Sequence, residues 1–257
     1  LELLELFNPG IDTVLPADLT LVLPDTGISD SDGITSSNIV RVSGLEKYSV
    51  LYYSTDSGVT FKEKMYPVGG WASTAGNYIS TLSLPEGNVV SQQVKAYQVD
   101  QSGNIGKISS LVLDPNYIID RSDPYFEEMI VSYVVDENDN ADVTIVAKLD
   151  PSAVIDWSTL NAGDASSITL SNLLGETNQA ILVVPADTTG VVSELVFRAQ
   201  GVLVEDTAVS ISPVSVYLDS LIITDSAGNE LAQMSNVDDK TSVTYNVGAS
   251  ILGVDSQ

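Results

Sequence analysis

The sequence predicts an all-β protein built from β-sandwiches, and three features support this prediction. Segments rich in Val, Ile, Tyr and Thr alternate apolar and polar residues with period two, as strands with one buried face do. Short turn signals made of Asp, Asn, Gly, Pro and Ser separate these segments. A sustained period of 3.6 residues, which would indicate helices, appears nowhere. Short strands and turns spaced in this way are typical of sandwiches.

Five segments show the strand pattern most clearly. In chain order they are "YSVLYYST" (48–55), "SQQVKAYQVD" (91–100), "ADVTIVAKLD" (141–150), "SELVFRAQ" (193–200) and "VSVYLDSLIIT" (214–224). The clearest turn signals are "TDSG" (55–58), "LPEGN" (84–88), "DQSGN" (100–104), "DENDN" (136–140) and "DSAGN" (225–229). The segment "DPYFEEMIVSYV" (123–134) is compatible with a short helix, but its Val- and Tyr-rich end favours a strand.

The length of 257 residues is that of one large or two medium domains. Pro115 and Pro124 bracket a polar stretch, and glycine becomes rarer after it, so we place a linker at 115–124. This predicts one sandwich at 12–114 and a second at 125–257. Residues 1–11 are interpreted as a linker or the tail of a preceding domain, because the chain begins with Leu1 and not with Met.

The charge balance limits the classes of partner. The chain has 35 acidic and 10 basic residues, for a net charge of −25. Such a surface repels nucleic acid and anionic membranes and attracts cations, although it also serves solubility and salt tolerance. No apolar run approaches the roughly 18–20 residues of a membrane span. We therefore expect no nucleic-acid partner and no membrane insertion.

The absence of cysteine and histidine narrows the chemistry further. Disulfides, Ser-His and Cys-His machinery and nearly all zinc or copper sites are excluded. Oxygen atoms are the remaining strong metal ligands, and they select hard cations, chiefly Ca²⁺. A paired-carboxylate glycosidase is the remaining enzymatic alternative, but the adjacent Glu127 and Glu128 would point to opposite faces of a strand. We therefore predict that the protein is not an enzyme.

Candidate cation ligands lie in acidic loops. "PDTGISDSDGIT" (24–35) supplies Asp25 and Asp32, and "DQSGN" supplies Asp100 and Asn104. Ca²⁺ needs about 6–8 oxygen ligands, so one short loop is insufficient. If both loops lie at the same end of one sandwich, four or five ligands meet there. Linker carboxylates could complete the shell, and the candidates are Asp12, Asp120 and Asp123.

The same residues also suit ordinary turns. Asp and Gly are common where a side chain caps its own turn, so the residues alone leave a calcium site and turn chemistry equally open. An EF-hand is excluded, because its first and last ligand positions would be Ile28 and Ile39. For "DENDN" and "DSAGN" we favour plain hairpin turns.

Four ordered motifs within residues 12–113 resemble the bacterial Ig-like repeats of large secreted adhesins, of the biofilm-associated and RTX-adhesin kind. The motifs are the DTG-x-S-x-x-D-x-I-T loop (25–35), "RVSGL" (41–45), the Y-S-x-D-x-G hairpin from Tyr53, with Phe61 in place of a Trp, and D-x-x-G-N (100–104). An insertion at 62–81 and the surroundings of Asp12 depart from the pattern. Residues 125–257 are not placed in a family.

The resemblance implies tandem Ig-like sandwiches on a bacterial cell surface, acting in adhesion or biofilm formation as an extender or near-tip segment. It also implies that calcium bound near domain junctions stiffens the array, with Asp25, Asp32, Asp100, Asn104 and a linker Asp as ligands. Neighbouring domains of the same adhesin are the expected partners of an otherwise monomeric chain. The alternative is a calcium-dependent module that binds a glycan or peptide, for which Tyr66 and Trp71 are candidate contacts.

Overall fold

The computed structural model shows an all-β chain that divides into two units, Leu1–Arg121 and Ser122–Gln257. The structure describes residues 12–64, 72–74, 77–136, 140–161, 163, 166–171, 177–186, 188, 192–203, 212–231 and 242–247. Within these ranges there is no α-helix, and therefore none of membrane-spanning length. The division lies inside the segment predicted as a linker, 115–124. Residues 1–11, Tyr66 and Trp71 lie outside the described residues.

Unit 1 contains two four-stranded sheets and one three-stranded sheet. Its strands are β1 (Thr20–Val22), β2 (Ile34–Thr35), β3 (Ile39–Leu45), β4 (Val50–Ser54), β5 (Lys62–Lys64), β6 (Ala72–Thr74), β7 (Asn77–Ser83), β8 (Gly87–Val89), β9 (Lys95–Val99), β10 (Ser109–Ser110) and β11 (Tyr117–Ile119). The strand orders are β1-β3-β7-β6, β10-β9-β4-β5 and β2-β11-β8. Inward-facing side chains of both four-stranded sheets share one core, to which β3 gives Val40 and Val42, β4 gives Leu51 and β9 gives Ala96. This is the layering of a sandwich.

A bulge in β3 explains the "SGL" of the "RVSGL" motif. Val40 and Val42 are fully buried, so strict alternation would turn Leu45 outward. The pairing of β3 with β7 shifts register between Ser43 and Leu45, and the inserted residue is Gly44 with φ +87°. The extra residue returns Leu45 to the core, where it is 4% exposed.

The end of unit 1 extends into the segment predicted as a linker. Residues 117–119 form β11, which runs parallel to β2 and antiparallel to β8. Ile119 is buried in the core of unit 1, and Tyr117 packs against that core. The linker assignment therefore does not hold for these residues, because an apolar "YII" can be buried against the loop that carries β2.

The described part of unit 2 contains a seven-stranded sheet and a two-stranded ribbon. Its strands are β12 (Phe126–Val135), β13 (Asn140–Leu149), β14 (Val154–Asp156), β15 (Ser167–Ser171), β16 (Thr177–Leu182), β17 (Glu194–Leu203), β18 (Ser212–Tyr217), β19 (Ile222–Thr224) and β20 (Ser242–Val247). The sheet order is β18-β15-β16-β17-β13-β12-β20, and β14 pairs with β19. β12 and β20 are parallel, whereas the other pairs are antiparallel.

The core of unit 2 shows the predicted alternation. In β13 every second residue from Ala141 to Leu149 is buried. Side chains from β12, β15, β17, β18 and the ribbon join them in one hydrophobic cluster. The segment 123–134, for which a helix was the alternative, forms most of strand β12, so the strand prediction is confirmed.

Candidate functional site

The candidate ligands of unit 1 lie at two different ends of the sandwich. We call residues 12–18, 46–49 and 100–106 the Asp100 end, and residues 24–38 and 114–120 the Asp25 end. β3 begins at the Asp25 end with Ile39 and ends at the Asp100 end with Leu45. A strand of seven residues spans roughly 20 Å, so the structure does not bring the Asp25–Asp32 loop and the Asp100–Asn104 loop together.

Strand polarity explains this separation. β9 is antiparallel to β4, and its last residue Val99 pairs with Val50, directly after the β3–β4 turn. Asp100 therefore emerges beside that turn. The loop with Asp25 and Asp32 precedes β3 and lies at the opposite end. Within the described residues no three Asp or Glu side chains form a group that could hold a metal.

At the Asp100 end, the incoming chain meets the D-x-x-G-N loop. The Asn104 side-chain amide donates to the Asp12 backbone carbonyl at 3.1 Å and to Asp100 Oδ2 at 2.8 Å. The Ser102 hydroxyl lies 3.4 Å from Asp12 Oδ2. Asp12, Asp100 and Ser102 line a depression of about 220 Å³ together with Glu46. Asp12, Asp100 and Asn104 are therefore brought together, as the sequence suggested for a linker carboxylate and this loop.

Asp100 also closes its own turn. Its Oδ1 accepts hydrogen bonds from the backbone N–H groups of Ser102 and Asn104, both at 2.8 Å. Led by the hydrogen bond from the Asn104 side chain, these donors together hold the pKa of the Asp100 carboxyl below its ordinary value of 3.8, although desolvation, the second-largest influence, opposes them. The carboxylate therefore stays charged to a lower pH than an ordinary aspartate does.

The same closure recurs in unit 2. In the Asp100, Asp136 and Asp225 loops, the Asp N–H donates to the carbonyl of the Asn four residues later, at 3.1, 2.8 and 3.0 Å. The N–H of that Asn returns a hydrogen bond to Asp Oδ1 at 2.8, 2.9 and 2.9 Å. Asp136 joins β12 to β13, and Asp225 lies between the bridged Thr224 and Glu230. Both turns join paired strand segments, as predicted for hairpin turns, and residues 137–139 lie outside the described residues.

At the Asp25 end, the acidic loop is locked to strand β11. Gly33 O accepts from Ile118 N–H at 2.7 Å, and Thr35 O accepts from Asp120 N–H at 2.9 Å. Gly33 N–H donates to Asp25 Oδ2 at 2.9 Å, and Ile34 N–H donates to Asp32 Oδ1 at 2.9 Å. The loop, its two candidate carboxylates and the backbone of Asp120 are therefore held in one hydrogen-bonded assembly.

One oxygen of this assembly stands out. Asp25 Oδ1 is buried and has no hydrogen-bond partner among the described residues. Burial, with a smaller contribution from the negative charge of Asp25, raises the pKa of the Tyr117 hydroxyl. A buried carboxylate oxygen without a donor is unfavourable, and a hard cation is the partner that such an oxygen suits. The donors at this end are oxygen atoms, the type that Ca²⁺ prefers, but the described Asp and Glu side chains form no group of three around one point.

Asp123 belongs to unit 2, where it is exposed and lies two residues before Tyr125. The Tyr125 N–H donates to the buried carboxylate of Asp150 at 2.9 Å, so sequence reasoning missed an acid that anchors the start of this unit.

Sequence reasoning also missed Gln98 in unit 1. Its side-chain amide donates to Ala17 O at 2.8 Å and Gly44 O at 3.0 Å, and its Oε1 accepts from Glu46 N–H at 2.8 Å. The sequence did carry a signal for Gln98, because it is a polar residue at a strand position whose side chain faces the core.

Aromatic side chains form a cross-strand stack on the outer face of β4 and β9. The Tyr52 and Tyr97 rings lie 5.0 Å apart between centroids with planes 8° apart, and Phe61 meets Tyr97 edge-on. Each tyrosine ring therefore turns one face toward the other tyrosine. Such cross-strand aromatic pairs stabilise the pairing of β4 with β9.

No protein-family model and no curated protein matches this chain.

The pH dependence of stability tests the role of Asp100. Because its folded pKa is depressed, its contribution to stability is present above the ordinary value of 3.8 and is lost as pH falls through the folded pKa. We would measure the urea midpoint of unit 1 by hydrogen exchange at a series of pH values from neutral to strongly acidic. The midpoint should fall less steeply with decreasing pH in Asp100→Asn than in the wild type. The control Asp18→Asn, which removes an exposed carboxylate, should retain the wild-type slope. Equal slopes for Asp100→Asn and the wild type would contradict the assignment.

Proposed function

We propose that this chain is a calcium-stiffened module of a bacterial cell-surface adhesin, and that it acts in adhesion or biofilm formation as an extender or near-tip segment. Its role is structural and not catalytic, and it works outside the cell beside neighbouring domains of the same protein. The observation that carries the proposal is Asp25 Oδ1, a buried carboxylate oxygen to which no described residue donates, in a loop bonded to the strand that leaves unit 1.

The Asp25 end supplies oxygen ligands for Ca²⁺. Asp25 offers Oδ1, and the same hydrogen-bonded assembly includes Asp32 and the backbone of Asp120. Because the described Asp and Glu side chains form no group of three, the carboxylates of Asp32 and Asp120 would have to turn toward the cation when it binds. Bound Ca²⁺ would supply positive charge that offsets the repulsion between these groups. Because Ile118 and Asp120 donate to the carbonyls of Gly33 and Thr35, order in the loop extends to the outgoing chain.

Ligands at opposite ends of a unit are compatible with sites at domain junctions. Asp12, Asp100 and Asn104 lie where the chain joins unit 1, and Asp25, Asp32 and Asp120 lie where it leaves. In an array of such units, the last ligands of one unit and the first ligands of the next belong to the same junction. Extracellular modules bind Ca²⁺ at about 10⁻⁴–10⁻³ M, so millimolar calcium outside the cell would fill such sites.

Calorimetric melting tests the proposal. Ca²⁺ at about 10 mM should raise the melting temperature of unit 1 by several degrees relative to chelator, because a roughly ten- to hundredfold excess over a Kd of about 10⁻³–10⁻⁴ M stabilises by about 1.4–2.7 kcal/mol. Mg²⁺ at matched ionic strength should have a much smaller effect. Asp25→Asn should abolish the calcium shift.

The matched control is Asp30→Asn. It removes the same charge from an exposed position in the same loop, so the calcium shift should persist. If the wild type shows no calcium shift, or if both variants lose it equally, the cation does not bind through Asp25 and the proposal fails.

A further inference from the structure

Asp32 and Gly33 form the only Asp-Gly dipeptide of the chain, and Asn-Gly does not occur in it. An aspartyl-glycyl peptide can cyclise, because glycine has no side chain that hinders attack by its own backbone nitrogen. The dipeptide lies in the acidic loop at the Asp25 end, between the candidate ligand Asp25 and strand β2. It is therefore the dipeptide of the sequence at which cyclisation of the backbone is least hindered.

The reaction needs only water. The Gly33 nitrogen attacks Asp32 Cγ, forming an N–C bond, and a carboxyl oxygen leaves as water with the amide proton and one proton from solvent. The product is a cyclic imide. Water then adds to one of its two carbonyls, which restores aspartate or yields isoaspartate, in which the backbone continues through the side-chain carbon.

The folded loop holds both reacting groups away from this path. Gly33 N–H is donated to Asp25 Oδ2 at 2.9 Å, and Gly33 itself is buried with φ +78°. Gly33 O is paired with Ile118 N–H, so rotation of this peptide would break the β2–β11 pairing. Asp32 Oδ1 accepts a hydrogen bond from the Ile34 N–H, which restrains the carboxylate against the backbone two residues later. Attack requires at least the first of these bonds to be broken.

We propose that Asp32–Gly33 is an isomerisation site of this protein. Asp25 slows the cyclisation in the folded protein by accepting a hydrogen bond from the Gly33 N–H. Conversion to isoaspartate lengthens the backbone by one carbon between Asp32 and Gly33. The β2 register against β11 is then lost, and the loop no longer holds the outgoing chain. Isoaspartate at position 32 therefore marks the molecules in which the Asp25 end has opened, because the lengthened backbone persists once it has formed.

Isoaspartate formation can be followed by isoaspartyl methyltransferase labelling and peptide mass spectrometry, in chelator, at neutral pH and well below the melting temperature. Asp25→Ala should isomerise about tenfold faster than the wild type or more, because the Gly33 N–H loses a bond to a charged acceptor. Asp25→Asn keeps an acceptor oxygen and should remain slow. The double variant Asp25→Ala with Asp32→Glu should show no product at position 32.

The inference does not depend on calcium, since Asp25→Asn should abolish the calcium shift while leaving isomerisation slow. Gln98→Leu weakens unit 1 from its other end without touching Gly33 and therefore controls for a general loss of stability. Isomerisation of Asp25→Ala at the wild-type rate, equal acceleration in Gln98→Leu, or product at another aspartate would each overturn the inference.

Discussion

Replacing Gln98 with leucine should lower the unfolding free energy of unit 1 by about 2–3 kcal/mol, because three part-buried hydrogen bonds to backbone groups are lost and each contributes about 1 kcal/mol. The Gln98 side chain is fully buried and bonds the Ala17 and Gly44 carbonyls and the Glu46 N–H. Leucine has a similar volume but offers none of these bonds. Urea unfolding followed by hydrogen exchange would measure the loss in unit 1 separately from unit 2.

The control for this change is Gln101→Leu. Gln101 lies three residues later on an exposed turn, so the same chemical change there should stay within about 0.5 kcal/mol of the wild type. In Gln98→Leu, exchange should also accelerate at residues 12–18, because Ala17 O loses its donor. Equal stabilities of the two variants would show that Gln98 does not secure this end of the sandwich.

The strands were predictable from sequence because their signal is local. The alternation of "ADVTIVAKLD" reports which side chains face the core, and β13 has those side chains buried. The hairpin turns at 136–140 and 225–229 were predictable for the same reason, since an Asp that caps its own turn needs no distant partner. Local patterns therefore recovered the fold class and several of its turns.

The arrangement of the candidate site was not predictable, because it depends on the number of strands between two loops. Each strand carries the chain from one end of the sandwich to the other, and the insertion at 62–81 hides how many crossings it contains. In the structure it contains β5, β6 and part of β7. Spacing alone could therefore name Asp25 and Asp100 but could not assign them to ends.

Long-range pairing was hidden as well. The "YII" of β11 resembles a linker in sequence, and only its contact with β2 and β8 makes it a strand. In unit 2 the parallel pairing of β12 with β20 joins segments more than a hundred residues apart, as Glu128 opposite Ser242 shows. The alternation of apolar and polar residues shows that a segment is a strand, but it does not show with which distant strand the segment pairs.

Replacing Gly33 with alanine should destabilise unit 1 by about 3 kcal/mol, for two separate reasons. At φ +78° an L-residue is disfavoured by roughly 1–2 kcal/mol. The added Cβ would also lie 2.8 Å from the Asn116 backbone oxygen and 3.0 Å from Pro115 Cγ, and forcing such contacts costs typically about 1–3 kcal/mol. Because the chain must shift away, exchange of the Ile118 and Asp120 amides should accelerate, and the calcium-dependent rise in melting temperature should shrink.

Gly103→Ala is the control that introduces the unfavourable left-handed backbone conformation without the steric contacts. Gly103 has φ +88°, but a Cβ added there would meet nothing within 4 Å, so this variant should lose only the roughly 1–2 kcal/mol of the left-handed conformation. The Ile118 and Asp120 amides should exchange at the wild-type rate in Gly103→Ala, because that loop lies at the other end of the sandwich. If both variants melt alike and exchange alike, the contact between Gly33 and residues 115–116 does not hold the loop to β11. The acidic loop could then not transmit cation binding to the outgoing chain.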